Sequence, residues 1–249
     1  MNLSNNTVLI TGGSSGIGLA FAERFSAAGS DVIICGRREE KLRAAQEKLP
    51  QLRTRVCNVA DEDERIALFE WAVHEFPKLN VLVNNAGVQR RVDLAHTEPW
   101  HRTRQEIEIN FEAPVHLSRL FIPHLLKQTT PSPAILNVTS GLAFAPLANV
   151  PVYCATKAAL RSFTLSLRHQ LAATAVKVIE IIPPAVDTDL GGPGLHTFGA
   201  PLPEFADAIF ARLGTDDDRE IAYGFAENAS GASREELNAI FGRLNAPQV

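Results

Sequence analysis

Between residues 7 and 182, short β-branched runs alternate with longer stretches of helical period, and few folds accommodate that alternation. Strand-like runs fall at Thr7–Thr11, Asp31–Cys35, Thr54–Asn58, Leu79–Asn84, Ala134–Thr139 and Val176–Ile181. Helical patterns lie between them at Ser15–Ala28, Glu39–Leu49, Glu62–Glu75, Trp100–Lys127 (one helix or two) and Val152–Leu171, each ending near Gly, Pro or Asn. A strand, a helix and a second strand in succession return the chain in the same direction, so the repeat predicts βαβ units and a parallel sheet covered on both faces. A helix near Glu204–Leu213, a short strand near Glu220–Tyr223 and a last helix near Ser233–Leu244 continue the pattern, giving about seven strands. The expected fold class is α/β: a single domain over residues 1–249 with one doubly wound parallel sheet and helices on both faces.

The segment 190–203 breaks the alternation. It holds Gly191, Gly192, Gly194, Gly199, Pro193, Pro201 and Pro203, and a structureless stretch of this length predicts a mobile substrate loop. The run Asp216-Asp217-Asp218 reads as a solvated turn. A net charge of −4 with no basic run argues against a nucleic-acid partner. No apolar stretch approaches the ~18 residues of a membrane span, so a cytoplasmic protein with no membrane contact is expected. Cys35, Cys57 and Cys154 are far apart and show no CxxC or His spacing; they read as buried free thiols, and no metal site is predicted.

Thr11-Gly12-Gly13-Ser14-Ser15-Gly16-Ile17-Gly18 follows the first strand and opens a helix, the context a phosphate-binding turn requires. Its glycines allow backbone N–H groups to approach a pyrophosphate, and the helix N-terminus adds partial positive charge. A nucleoside-triphosphate P-loop is excluded, because no Lys-Ser or Lys-Thr follows Gly18. The second strand ends in Cys35-Gly36-Arg37-Arg38. An acidic residue here binds the ribose hydroxyl of NAD, whereas arginine meets the 2′-phosphate of NADP with paired hydrogen bonds. Arg37, helped by Arg38, therefore predicts that NADP(H) is favoured over NAD(H).

Ser140 closes the fifth strand, Tyr153 opens the next helical pattern, and Lys157 follows four residues later, one turn along the same helix face. A phenol titrates near ~10, too high for proton transfer at neutral pH unless a neighbouring cation stabilises the phenolate, and a lysine ammonium can do this. A serine hydroxyl suits orienting the substrate oxygen while the tyrosine carries the proton.

TGxxxGxG, Asn84-Asn85-Ala86-Gly87, Ser140 and Tyr153-x-x-x-Lys157, in this order and spacing, resemble the short-chain dehydrogenase/reductase family across essentially the whole chain. The resemblance implies a Rossmann-like fold and hydride transfer between NADP(H) and a carbonyl or secondary alcohol, with Ser140, Tyr153, Lys157 and Asn110 as the catalytic set. Asn110 would help hold a water that relays protons from the lysine. The cofactor contacts it implies are Gly12, Ser14, Ser15, Gly16, Ile17, Gly18, Asn84, Ala86, Gly87, Tyr153 and Lys157, with Ser15 adding a hydroxyl to the 2′-phosphate. Asn58-Val59 stands where the family carries Asp-Val against the adenine, and an amide oxygen can still accept that hydrogen bond. Pro183, Val186 and Thr188 would meet the nicotinamide end, although Pro184 replaces the usual glycine and so requires a different local turn.

The segments Pro151–Leu171, Pro183–Leu202 and Glu220–Phe225 resemble DltE-type short-chain oxidoreductases. Leu142, Phe144, Leu147, Val150, Leu195, His196 and Phe198 would surround an apolar pocket for a small-molecule carbonyl or alcohol. The apolar set Leu160, Phe163, Leu167 and Leu171, beside the family's usual helix contact, predicts a homodimer or homotetramer. Two other functions remain open on sequence: a non-catalytic dinucleotide-binding sensor or scaffold, and a dehydratase or epimerase on the same platform.

Overall fold

A computed structural model describes residues 1–96, 99–129, 131, 133–215 and 219–246, so the acidic run 216–218 lies outside the described residues. Strand β1 (Thr7–Thr11) pairs in parallel with β2 (Asp31–Gly36) on one side and β4 (Val81–Asn84) on the other. Outward from these lie β3 (Arg53–Val56) beyond β2, and β5 (Ala134–Val138), β6 (Lys177–Ile182) and β7 (Glu220–Ala222) beyond β4, giving the seven-stranded order β3-β2-β1-β4-β5-β6-β7. Strand order reverses between β1 and β4, and in sheets of this kind the crevice past the strand ends at that point is where ligands bind.

Alternation along β1 shows why the sheet needs two covers. Val8 and Ile10 face α1 (Gly16–Ala27), α2 (Glu39–Lys48) and α7 (Leu202–Leu213), whereas Leu9 faces α3 (Glu62–Glu75), α5 (Ala113–Leu125) and α6 (Pro151–Gln170), and all three are fully buried. On the first side Phe25 and Phe210 meet edge to face with centroids 4.8 Å apart. Burying such a side chain contributes about 1.5–3 kcal/mol. Edge strand β3 is mostly exposed, and its alternating Arg53 and Arg55 keep that edge charged. Asp61 caps α3 by accepting from the N–H groups of Asp63 (2.9 Å) and Glu64 (3.2 Å).

The 100–127 pattern resolves into α4 (Trp100–Ile107) and α5, joined by a π-helical turn over Glu108–Glu112 that contains Asn110. The 190–203 segment ends two residues earlier than expected. Its neck is closed where Asp187 N–H donates to the Ala200 carbonyl and Ala200 N–H to Ala185, both at 2.9 Å. Its last two residues belong to α7, because the first helical turn has no internal acceptors to lose and tolerates proline. Helix α8 (Phe225–Gly231) precedes the expected last helix, α9 (Arg234–Leu244), and was not foreseen. Among the described residues no helix is long and apolar enough to cross a membrane.

Leu160, Leu167 and Leu171 are buried within the chain and Phe163 packs against the same core. They cover the sheet, so the apolar face from which self-association was expected is already occupied.

Candidate active site

The glycine-rich turn and Asn84–Gly87 lie past the strand ends flanking the switch point, and hydrogen bonds fasten them to each other. Thr11 Oγ1 accepts from the N–H groups of Asn85 and Ala86, both at 3.0 Å, and donates to the Val83 carbonyl at 3.3 Å. Asn85 donates its amide to the carbonyls of Thr11 (2.9 Å) and Gly12 (3.3 Å). Side chains have no room between the two segments. A Cβ at Gly12, where φ is +65°, would stand 2.9 Å from Ala86 Cα, and one at Gly18 would stand 2.4 Å from Asn85 Nδ2. Ser15 precedes α1 without a side-chain cap, leaving the first-turn N–H groups as donors at the positive end of the helix. A concave backbone surface with uncapped donors fits a dinucleotide pyrophosphate. Thr11 and Asn85, which hold it in shape, were absent from the sequence-derived set, although both lie within the recognised segments.

Around this cradle, a Cβ on Gly16 would stand 3.4 Å from Thr188 Cγ2, so Thr188 reaches the turn from beyond β6. Ser14 Oγ would lie 3.2 Å from a Cβ on Gly36, at the end of β2. Arg37 and Arg38 are both exposed there, and it is Arg38 that touches the turn, donating from Nη2 to Ser15 Oγ at 3.3 Å. Ile17 packs against the core behind the turn. Asn58 accepts from Ala60 N–H at 3.4 Å, and the buried Val59 has its carbonyl held by Arg65 Nη1 at 2.8 Å. The Pro183 carbonyl accepts from Gly141 N–H at 2.9 Å, joining the chain after β6 to the turn that follows Ser140, and Val186 is buried beside Ala200.

The Asn84 side chain does not face the cradle. It donates to Asn137 Oδ1 (2.9 Å) and Ser118 Oγ (3.2 Å), and Asn137 donates on to Thr164 Oγ1 (2.8 Å). This buried chain ties β4 and β5 to α5 and α6. Strand alternation accounts for it, since Asn84 shares a face with Leu82, which packs on those helices.

Ser140 follows β5 in extended conformation, and its Oγ accepts from Leu142 N–H at 3.1 Å. Tyr153 stands in the first turn of α6 and is buried. Burial pushes the phenol well above its usual range, Ser140 opposes the shift, and Cys154 and Glu106 add to it. Lys157, one turn on, is also buried and donates from Nζ to the Val138 carbonyl at 2.8 Å, with Nζ 5.7 Å from the Tyr153 ring centroid. Burial pushes the ammonium down to about 8. Asn110 brackets Val88, accepting from its N–H at 2.9 Å and donating to its carbonyl at 2.8 Å, and donates to Thr156 Oγ1 at 3.2 Å. Its side chain is thus a clamp between the chain after β4 and α6. A Cβ on Gly87 would stand 3.6 Å from Asn110 Oδ1 and 3.7 Å from Lys157 Nζ, which puts both groups beside the Asn-Asn-Ala-Gly segment.

On the substrate side, Leu142, Leu147 and Leu190 pack with Val150, Tyr153 and Cys154. Phe144 is turned away, packed with Ile182, Ala222 and Ala226 and lying 4.3 Å beneath the Arg161 guanidinium. Leu195 and Phe198 are 40% and 78% exposed, and His196 packs toward Phe198 rather than onto the tyrosine. Of the wall residues expected from the sequence, Leu142, Leu147 and Val150 therefore pack together beside Tyr153, whereas Phe144 does not.

The short chain dehydrogenase family model matches residues 6–195. An oxidoreductase from Bacillus subtilis (strain 168), DltE, described as uncharacterized, is 51% identical over 98% of both chains. A short-chain dehydrogenase from Burkholderia cenocepacia J2315, solved with NADP, superposes with a TM-score of 0.84 at 25% identity, covering 99% of this chain and 100% of that one. Another from Sphingobium yanoikuyae, solved with NADPH, gives 0.79 at 25% identity, covering 98% and 96%. With the fold, the cradle and the sequence match in agreement, the chain belongs to the short-chain dehydrogenase family of oxidoreductases.

Proposed function

We propose that this protein is an NADP(H)-dependent oxidoreductase that interconverts a carbonyl and a secondary alcohol, with Ser140, Tyr153 and Lys157 as its acid–base group. The observation that carries the reading is buried Tyr153 with Lys157 Nζ 5.7 Å from its ring centroid and Ser140 at the neighbouring strand end, beside a cradle suited to a dinucleotide. The NADP and NADPH in the two similar structures favour the phosphorylated cofactor, as do Arg37 and Arg38 beside Ser15. NADP(H) held in the cradle would supply or accept the hydride. Tyr153 gives a proton to the substrate oxygen on reduction and takes it back on oxidation, while Ser140 orients that oxygen. Lys157 holds positive charge near the phenolate. Asn110 keeps Val88 and α6 in register, and the π turn around it is the kind of helix irregularity that frees a backbone carbonyl for a relay water. Asn58 and Val59 border the adenine, and Ala86, Gly87, Pro183, Val186 and Thr188 the remaining cofactor edge.

The Leu142, Leu147 and Leu190 wall favours a partly apolar substrate. Replacing Tyr153 with Phe leaves the ring and removes only the transferable proton. NADPH consumption across a panel of ketones and aldehydes should fall by about 10²–10⁴-fold while cofactor binding persists. Turnover without net NADPH consumption would instead favour a dehydratase or epimerase, and no turnover in the wild type a sensor. Self-association is proposed from family likeness, and a monomer by light scattering at micromolar concentration would remove it.

A further inference from the structure

Arg65, on α3, is 1% exposed and is the largest fully buried side chain among the described residues, yet the acid–base reading of Ser140, Tyr153 and Lys157 makes no use of it. Enclosing a guanidinium is costly, and an apolar side chain of similar volume would fill the space at lower cost, so packing alone does not account for an arginine there. The destinations of its donors do. Nη1 donates to the carbonyls of two consecutive residues, Val59 at 2.8 Å and Ala60 at 3.2 Å. On the other side of the fork, Nη2 donates to Glu112 Oε1 at 2.8 Å, in the π turn that carries Asn110, and Nε donates to His116 Nδ1 at 3.0 Å, on α5.

The segment gripped in this way, residues 58–60, belongs to neither strand nor helix, so no backbone ladder fixes its shape. Side chains from α3 do so instead. Glu64, next to Arg65, accepts from Asn58 N–H through Oε2 at 2.7 Å, and the Asn58 carbonyl accepts from Asp61 N–H at 2.9 Å. Just before the segment, Cys57 N–H donates to the Gly36 carbonyl at 3.0 Å, which sets it beside the Gly36–Arg38 turn.

We propose that Arg65 is a positioning residue for cofactor binding: its fork fixes the backbone of Asn58–Ala60 against the π turn and so shapes the surface that receives the adenosine end of the dinucleotide. This rests on the reading that Asn58 and Val59 border the adenine. Paired donors on adjacent carbonyls restrain two peptide planes at once, which a lysine ammonium, a single point of charge, does not reproduce. Because Glu112 and His116 hold the far side of the fork, the segment is tied to the helix path of Asn110 as well as to its own helix.

Adenosine 2′,5′-bisphosphate carries the adenosine end of NADP(H) without the nicotinamide, and its calorimetric titration onto the full chain, well below the melting temperature of each variant, isolates this end. Arg65→Lys keeps the charge and loses the fork, and Arg65→Met fills the space without donors. Both should bind the bisphosphate about tenfold more weakly than the wild type, the size of one lost hydrogen bond to a charged group, and NADPH should lose the same factor. Glu112→Ala removes one anchor from a side chain that is 53% exposed, where truncation is tolerated, and should weaken bisphosphate binding in the same direction by a smaller factor. Unchanged affinity in a folded Arg65 variant, however much its melting temperature falls, overturns the proposal and assigns the arginine to stability alone. A loss confined to NADPH overturns it too, by placing the effect at the nicotinamide end. If neither Arg65 variant folds, Glu112→Ala decides, and unchanged affinity there overturns the proposal. A wild type that does not bind the bisphosphate defeats the cofactor-site reading itself, whatever the variants show.

Discussion

Lys157→Met separates the functional cost of the buried lysine from its structural contribution. In the folded protein the ammonium is pushed from 10.5 to about 8 by burial. A depressed lysine means that the folded state binds fewer protons than the unfolded state between those two values, so its contribution to stability rises with pH across that window. Below pH 8 the full penalty applies; above 10.5 it is gone. A shift of this size corresponds to about 3 kcal/mol, of which about 2–3 kcal/mol is traversed between pH 7 and pH 10. Methionine carries no charge and lacks this dependence, but leaves the Val138 carbonyl without the donor now at 2.8 Å, a pH-independent loss of about 1–3 kcal/mol. The variant should therefore match or exceed the wild type at pH 7 and fall below it by pH 10. Urea unfolding of both proteins at a series of pH values measures the difference, in which the contributions of the other titrating groups cancel. A stability difference that is the same at pH 7 and pH 10 would refute the reasoning, because the lysine would then be charged equally in both states.

Arg38→Ala should weaken NADPH binding while leaving NADH nearly unchanged, each charge-assisted bond to the 2′-phosphate contributing about 1.5–3 kcal/mol; Arg37→Ala is expected to do the same, and fluorescence titration with both cofactors checks each. Equal weakening of both cofactors would make the arginines mere surface cations. Gly18→Ala places a methyl 2.4 Å from both Asn85 Nδ2 and the Gly12 carbonyl, so it should cost about 1–3 kcal/mol and loosen cofactor binding. Gly29→Ala, at φ +85° with nothing within 4 Å, should cost only the left-handed strain of about 1–2 kcal/mol and leave binding intact; thermal melts with and without NADP⁺ distinguish the two.

What the sequence by itself determined is what local periodicity and spacing control. The β-branched runs became strands close to their expected limits, and the four-residue step from Tyr153 to Lys157 put both on one face of α6, because the backbone repeat alone fixes such relations. The turn at Thr11–Gly18 was legible for the same reason: its glycines answer a conformational need that few residues meet. The tertiary structure decided where each side chain looks. Phe144 was assigned to the substrate pocket by its position in the chain, yet it faces inward, because the β6, β7 and α8 residues that receive it come from distant segments. Leu160, Leu167 and Leu171 looked surplus to one helix face until the sheet beneath α6 claimed them. Glu106 gave no signal at all. A glutamate in an amphipathic helix reads as solvated, and only the packing of α4 against α6 and the Arg90 N–H donated to its carboxyl make it a buried group.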